Sequence, residues 1–104
     1  MPDQTLHDSW HALMGYNTAL GDAVAEQDWE RACELAAQRH RALLQHFQQH
    51  PVGPATAEFY QQALPGFMAD EPRLNELAVQ ARREIMKQSL ALRQGRRAVS
   101  AYQV

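Results

Sequence analysis

Between Leu6 and Val24, apolar or small residues return at Leu6, Trp10, Leu13, Asn17, Leu20 and Val24, in alternating steps of four and three. That spacing puts them on one face of a helix and predicts a helix over 5–26, buried along one side. Asn17 is the polar interruption, and it either fixes the register of the seam or sits at its edge. A second stripe, Trp29, Cys33, Ala36, His40, Leu43, Leu44 and Phe47, predicts a helix over 28–50. Asp28 stands where a carboxylate would cap the free N–H groups of that helix. Only a tight turn fits between the stripes, so the two helices should form an antiparallel hairpin.

Pro51-Val52-Gly53-Pro54 ends the second helix. The stretch ATAEFYQQAL then predicts a short third helix over 55–64, which needs packing to persist. Pro65-Gly66 is expected to end it, and Asp70-Glu71-Pro72 reads as a fresh helix start with an acidic first turn. The stripe Leu74, Ala78, Ala81, Ile85, Gln88, Leu92, Gly95, Val99 and Tyr102 predicts a last helix over 71–102. The expected fold is therefore one all-α domain over 1–104, an antiparallel bundle of about four helices. At 1.5 Å per residue the hairpin helices span about 30–33 Å and the last about 48 Å. Some three turns at the C-terminal end should overhang the hairpin, carrying Leu92, Val99 and Tyr102.

Composition agrees: leucine, alanine and glutamine dominate, and glycine and proline are few. No apolar run approaches the ~20 residues that cross a bilayer, and MPDQTLHDSW lacks the basic-then-apolar signature of a signal peptide. A cytoplasmic location is expected. Cys33 is alone, which fits a reducing compartment, and its place in the stripe makes it a small core residue. The net charge of −2 conceals an asymmetry. Residues 1–81 hold four basic and eleven acidic side chains, giving −7. Residues 82–104 hold Arg82, Arg83, Lys87, Arg93, Arg96 and Arg97 against Glu84 alone, giving +5. This end either complements the helix dipole or forms a docking surface for something acidic.

Catalytic and metal chemistry find little footing. His7 and His11, and His46 and His50, stand four apart, but neither pair has a third ligand nearby in sequence. His40 in QRHRALLQ invites comparison with a phosphotransfer histidine, yet Leu43 stands where a lysine is needed and no glycine follows. Carboxylates are scattered along polar faces, and no glycine-rich loop follows a strand. No enzyme, metal or cofactor is expected. Direct nucleic-acid binding is disfavoured because the acidic body would be repelled. Trp10, Trp29 and Phe47 follow the stripes and are expected in the core. Phe59, Tyr60, Phe67 and Met68 flank Pro65-Gly66, where they either pack the short helix down or wall an apolar groove.

Over nearly its full length the chain resembles the FliT family of flagellar export chaperones. Two stretches carry the resemblance: AEQDWERACELAAQRHRALL at 25–44, with its acidic-Trp helix start, and RQGRRAVSAYQ at 93–103, a basic helix end closing on Ala-Tyr. The resemblance implies a cytoplasmic helical bundle that binds the filament cap protein FliD and prevents its premature assembly or aggregation. It also implies delivery to the type III export machinery, with contacts to the export ATPase and the flagellar master regulator in some members. No regulatory role of an extension beyond Tyr102 is expected, since the chain stops two residues later. The partner site expected on this basis is an apolar groove with a polar rim. Phe59, Leu64, Phe67 and Met68 would form one wall and Leu92, Val99 and Tyr102 the other, with Arg96 and Arg97 steering an acidic partner. The rival expectation is a helical adaptor without an export role, pairing through the last helix as a homodimer.

Overall fold

The computed structural model describes residues 2–102, and the side chains of residues 4–97. Three helices run in sequence: α1 (Pro2–Ala25), α2 (Trp29–Gln49) and α3 (Ala57–Tyr102). The first two form the expected antiparallel hairpin. Its turn is built from backbone bonds: the Asp28 N–H donates to the Ala23 carbonyl at 2.9 Å and the Gln27 N–H to the Val24 carbonyl at 3.0 Å. These are the paired bonds of a Schellman ending, which places Gln27 in the left-handed region at φ 59°. Asp28 also opens α2, its Oδ1 accepting from the Arg31 N–H at 3.3 Å. One residue thus closes one helix and begins the next.

The core lies where all three helices meet. Leu20 and Ala23 of α1, Ala32 and Leu35 of α2, and Leu74 and Ala81 of α3 form one buried cluster, with Tyr16, Val24, Trp29 and Leu77 at its margin. On α1 the predicted stripe holds, with Leu6, Leu13, Asn17 and Leu20 all buried. On α2 it does not. The buried positions are Ala32, Leu35, Arg39 and His46, each one residue ahead of Cys33, Ala36, His40 and Phe47 in the expected stripe. One residue is about 100° of helix, so α2 turns a flank of its apolar stripe inward rather than the centre. Cys33, Ala36, Leu43 and Phe47 are half-buried as a result, while His40 and Leu44 are exposed. Trp10 and Trp29 are likewise half-buried.

The largest departure is α3. The expected break at Pro65-Gly66 and the fresh start at Asp70 are absent, and a single helix of 46 residues runs through both Pro65 and Pro72. Three helices therefore replace the expected four. Each proline removes one N–H, freeing the carbonyls of Gln61 and Met68. All four residues are exposed, so water satisfies those carbonyls and no buried group is orphaned. Asp70 pairs with Arg73 instead of capping a helix, at 2.8 Å. Thr56 opens α3, its carbonyl accepting from the Tyr60 N–H and its hydroxyl donating to the Pro51 carbonyl at 2.8 Å.

At 1.5 Å per residue α3 is about 69 Å long, twice the hairpin. The molecule accordingly extends 70 × 22 × 18 Å, with a radius of gyration of 19.3 Å. A compact chain of this size would have a radius near 13 Å. Residues 86–97 are all exposed. Gln88, Ser89 and Leu92 still line a shallow cleft with the hairpin turn at residues 27–30, and the overhang expected from length arithmetic follows. No helix among the described residues is long and apolar enough to cross a membrane.

Two substitutions check this architecture. Gln27→Gly should raise the unfolding free energy by about 1 kcal/mol, because a side chain at a left-handed position costs about that much. Pro65→Ala should raise it by about 1–3 kcal/mol if α3 is continuous, since an interior proline costs about 3 kcal/mol. Urea unfolding measures both, and a chain that broke at Pro65 would gain nothing.

Candidate functional site

The residues expected to bind a partner occupy two separate regions of α3. Phe67 and Leu92 are 25 positions apart on one straight element, or about 38 Å. They cannot face each other across a groove, so the expected two-walled site is corrected to two surfaces. The single helix is the physical reason, since only a break at Pro65-Gly66 could have folded the first wall back towards the second.

The proximal surface is an aromatic cluster shared by all three helices. Trp10 of α1 is its hub, with ring centroids of Phe59 at 5.7 Å, Phe67 at 5.5 Å, Tyr60 at 6.1 Å and His46 at 5.3 Å. His7 stands edge-on to Phe59 at 4.9 Å. Phe59 and Phe67 are therefore half-buried against their own hairpin rather than open to a partner. Leu64 is half-buried and Met68 is 66% exposed.

Two polar chains thread this region, and neither was legible in the stripes. In the first, Arg39 of α2 reaches both other helices. Its Nε donates to Asn17 Oδ1 at 2.6 Å, and its two terminal nitrogens grip the Glu71 carboxylate at 2.6 and 3.2 Å. The guanidinium also lies 5.6 Å from the centroid of the Phe67 ring. Asn17 thus fixes register, and its partner is the Arg39 charge. In the second chain, Ser9 lies 2.7 Å from His46 Nδ1, His46 Nε2 lies 2.8 Å from the Tyr60 hydroxyl, and Tyr60 donates to the His50 carbonyl at 2.6 Å. Burial, and secondarily the neighbouring His50, hold His46 below the ordinary imidazole value of 6.5. Burial pushes the Tyr60 phenol up.

The distal surface is the exposed run from Arg82 onward. Met86, Leu90 and Leu92 are 61%, 53% and 64% exposed, and Arg82, Arg83, Lys87, Arg93, Arg96 and Arg97 are exposed around them. Glu84 is engaged by Lys87 at 3.2 Å. The side chains of Val99 and Tyr102 lie outside the described residues. A second apolar line emerges here that the expected stripe missed. Met68, Val79, Met86 and Leu90 are all exposed and fall within about 40° of one another around α3. Their spacing of eleven, seven and four was the available signal, masked by the stronger inward stripe. Beside this line, a groove of 550 Å³ runs between α2 and α3, floored by Cys33, Ala36 and Ala78 and rimmed by His40, Asn75 and Arg82.

Among the described residues, no group of three or more His, Cys, Asp or Glu side chains converges as a metal site. What this arrangement offers is surface for another helix: small residues for close approach, exposed leucine and methionine, and arginine at the rim. No protein-family model matches the chain, and no curated protein and no solved structure matches it.

Arg39 provides the sharpest check on how the three helices are held. Arg39→Ala should cost about 1–3 kcal/mol, because it leaves buried Asn17 unpaired while Glu71 stays partly hydrated. Arg39→Met keeps the volume, and combined with Glu71→Gln it should recover at least half of that loss in thermal unfolding.

Proposed function

We propose that this protein is a FliT-type flagellar export chaperone that binds the cap protein FliD through helical surface and holds it from premature assembly or aggregation. The observation that carries the proposal is the distal end of α3, which carries exposed Leu90 and Leu92 among Lys87, Arg93, Arg96 and Arg97 and runs on past the hairpin turn. An unassembled subunit presents amphipathic helix, and a projecting helix of this composition is a complementary surface. From Leu92, which still lines a cleft with the hairpin turn, to Tyr102 the projection is about 15 Å, beyond the ~8 Å Debye length at physiological salt. The acidic hairpin therefore neutralises Arg96 and Arg97 little, and an acidic partner is steered to them. Contacts with the export ATPase and the flagellar master regulator belong to the same proposal, as does a cytoplasmic site of action. The role is one of binding rather than catalysis.

A second reading, a self-associating helical adaptor, is favoured by the exposed line Met68, Val79, Met86 and Leu90, which would suit a second copy of α3. Light scattering separates the two. Self-association predicts a dimer mass that FliD does not change, and the chaperone reading predicts a heteromeric complex.

The direct test uses the FliD C-terminal segment and the chain truncated after Leu90. Affinity measured by calorimetry should fall at least about tenfold, a loss of about 1.4 kcal/mol. Undiminished affinity would remove the distal helix from the site.

A further inference from the structure

With His46 neutral, the Ser9–His46–Tyr60 chain has one proton arrangement that satisfies every member. Tyr60 spends its single proton on the His50 carbonyl at 2.6 Å, so towards His46 its oxygen accepts. His46 Nε2 therefore carries a proton. Its Nδ1 is bare and accepts from the Ser9 hydroxyl at 2.7 Å. His46 is neutral in this state, and only 2% exposed.

None of the groups packed against it carries a negative charge to compensate a cation. From α1 it meets Ser9 and Trp10, from α2 Phe47 and His50, and from α3 Tyr60. The His50 ring lies 5.3 Å away, and its Nε2 is buried without a hydrogen-bond partner. On the facing turns the charged or titratable groups are His7, against Phe59, and the exposed Asp8 and Glu58. No carboxylate bonds to the His46 ring.

The segment that His46 holds ends at a weak point of α3. Residues 57–64 of α3 are followed at once by Pro65 and Gly66, where the Gln61 carbonyl has lost its helical donor. Beyond that point α3 is secured independently by the Arg39–Glu71 pair and by buried Leu74 and Ala81. We propose that His46 is a proton-operated latch: uncharged, it pins residues 57–64 to the hairpin, and on protonation it releases them about Pro65-Gly66. Protonated, Nδ1 donates to the Ser9 hydroxyl instead of accepting from it, but the charge is sealed from water and faces a second imidazole. Opening relieves both by admitting water, and it uncovers the Trp10 and Phe47 rings.

The sign follows from linkage. The closed segment holds His46 below its ordinary value of 6.5, so the open form takes up the proton more readily. Closure is complete above that value and weakens as pH falls below it.

Amide hydrogen exchange on the full chain at pH 7.5 and 5.0, corrected for intrinsic rates, tests the latch. Protection of 57–64 should fall by up to about tenfold per pH unit below 6.5, while amides of 69–85 keep theirs. His46→Gln, which has no ionisable ring, should abolish that pH dependence. Tyr60→Phe leaves His46 Nε2 unpaired and should loosen 57–64 already at pH 7.5, again sparing 69–85. Equal protection of 57–64 at both pH values in the parent chain would overturn the latch. So would acid loss that persists in His46→Gln, or loosening that spreads equally through 69–85.

Discussion

Arg39 occupies the junction at which all three helices could be held by one side chain, and the rest of the fold is arranged around what that charge needs. Taking a guanidinium out of water costs several kcal/mol, and the cost is offset only when its hydrogen bonds are supplied by the protein. Asn17 from α1 and both carboxylate oxygens of Glu71 from α3 supply them. The Glu71 side chain is 40% exposed against 10% for Arg39, so the pair straddles the boundary between core and solvent. That placement keeps the carboxylate partly hydrated while the bidentate geometry fixes how far α3 is rotated and slid along the hairpin.

Once Arg39 must point inward, the orientation of α2 follows. A helix cannot bury Arg39 between Leu35 and His46 and also centre Cys33, Ala36, His40 and Phe47 on the core. The more apolar face therefore turns partly outward, and its small residues become the floor of the groove beside α3. Surface that could receive another helix is thus a by-product of satisfying a buried charge. At the opposite end of the hairpin, His46 plays a comparable role with a neutral ring, tying Ser9 to Tyr60 inside the aromatic cluster.

Continuity of α3 sets the shape and separates its tasks. Its stretch from Ala57 to Ile85 closes the bundle, contributing Phe59, Tyr60, Phe67, Leu74 and Ala81 to buried or half-buried surface. Among the described residues, the stretch beyond Ile85 meets only the hairpin turn and carries Lys87, Arg93, Arg96 and Arg97. Core packing and the exposed positive charge therefore reside on different lengths of one helix, and changes in the distal part should leave the core intact.

The sequence alone determined the all-helical class, the α1–α2 hairpin, the Asp28 cap and the overhang. These depend on local periodicity, on capping chemistry and on the fixed rise of a helix, all of which act within a few residues. It also exposed the charge asymmetry and raised register as one role for Asn17. Tertiary structure decided the rest. Pro65-Gly66 reads locally as a stop, but packing on both sides and solvent at the freed carbonyls carry the helix through. Arg39 and His46 interrupt the apolar count, so periodicity set α2 about 100° from its true orientation. Their partners, Asn17, Glu71, Ser9 and Tyr60, lie 14 to 37 residues away. A buried polar residue is acceptable only when such partners arrive, and their arrival is a property of the assembled fold.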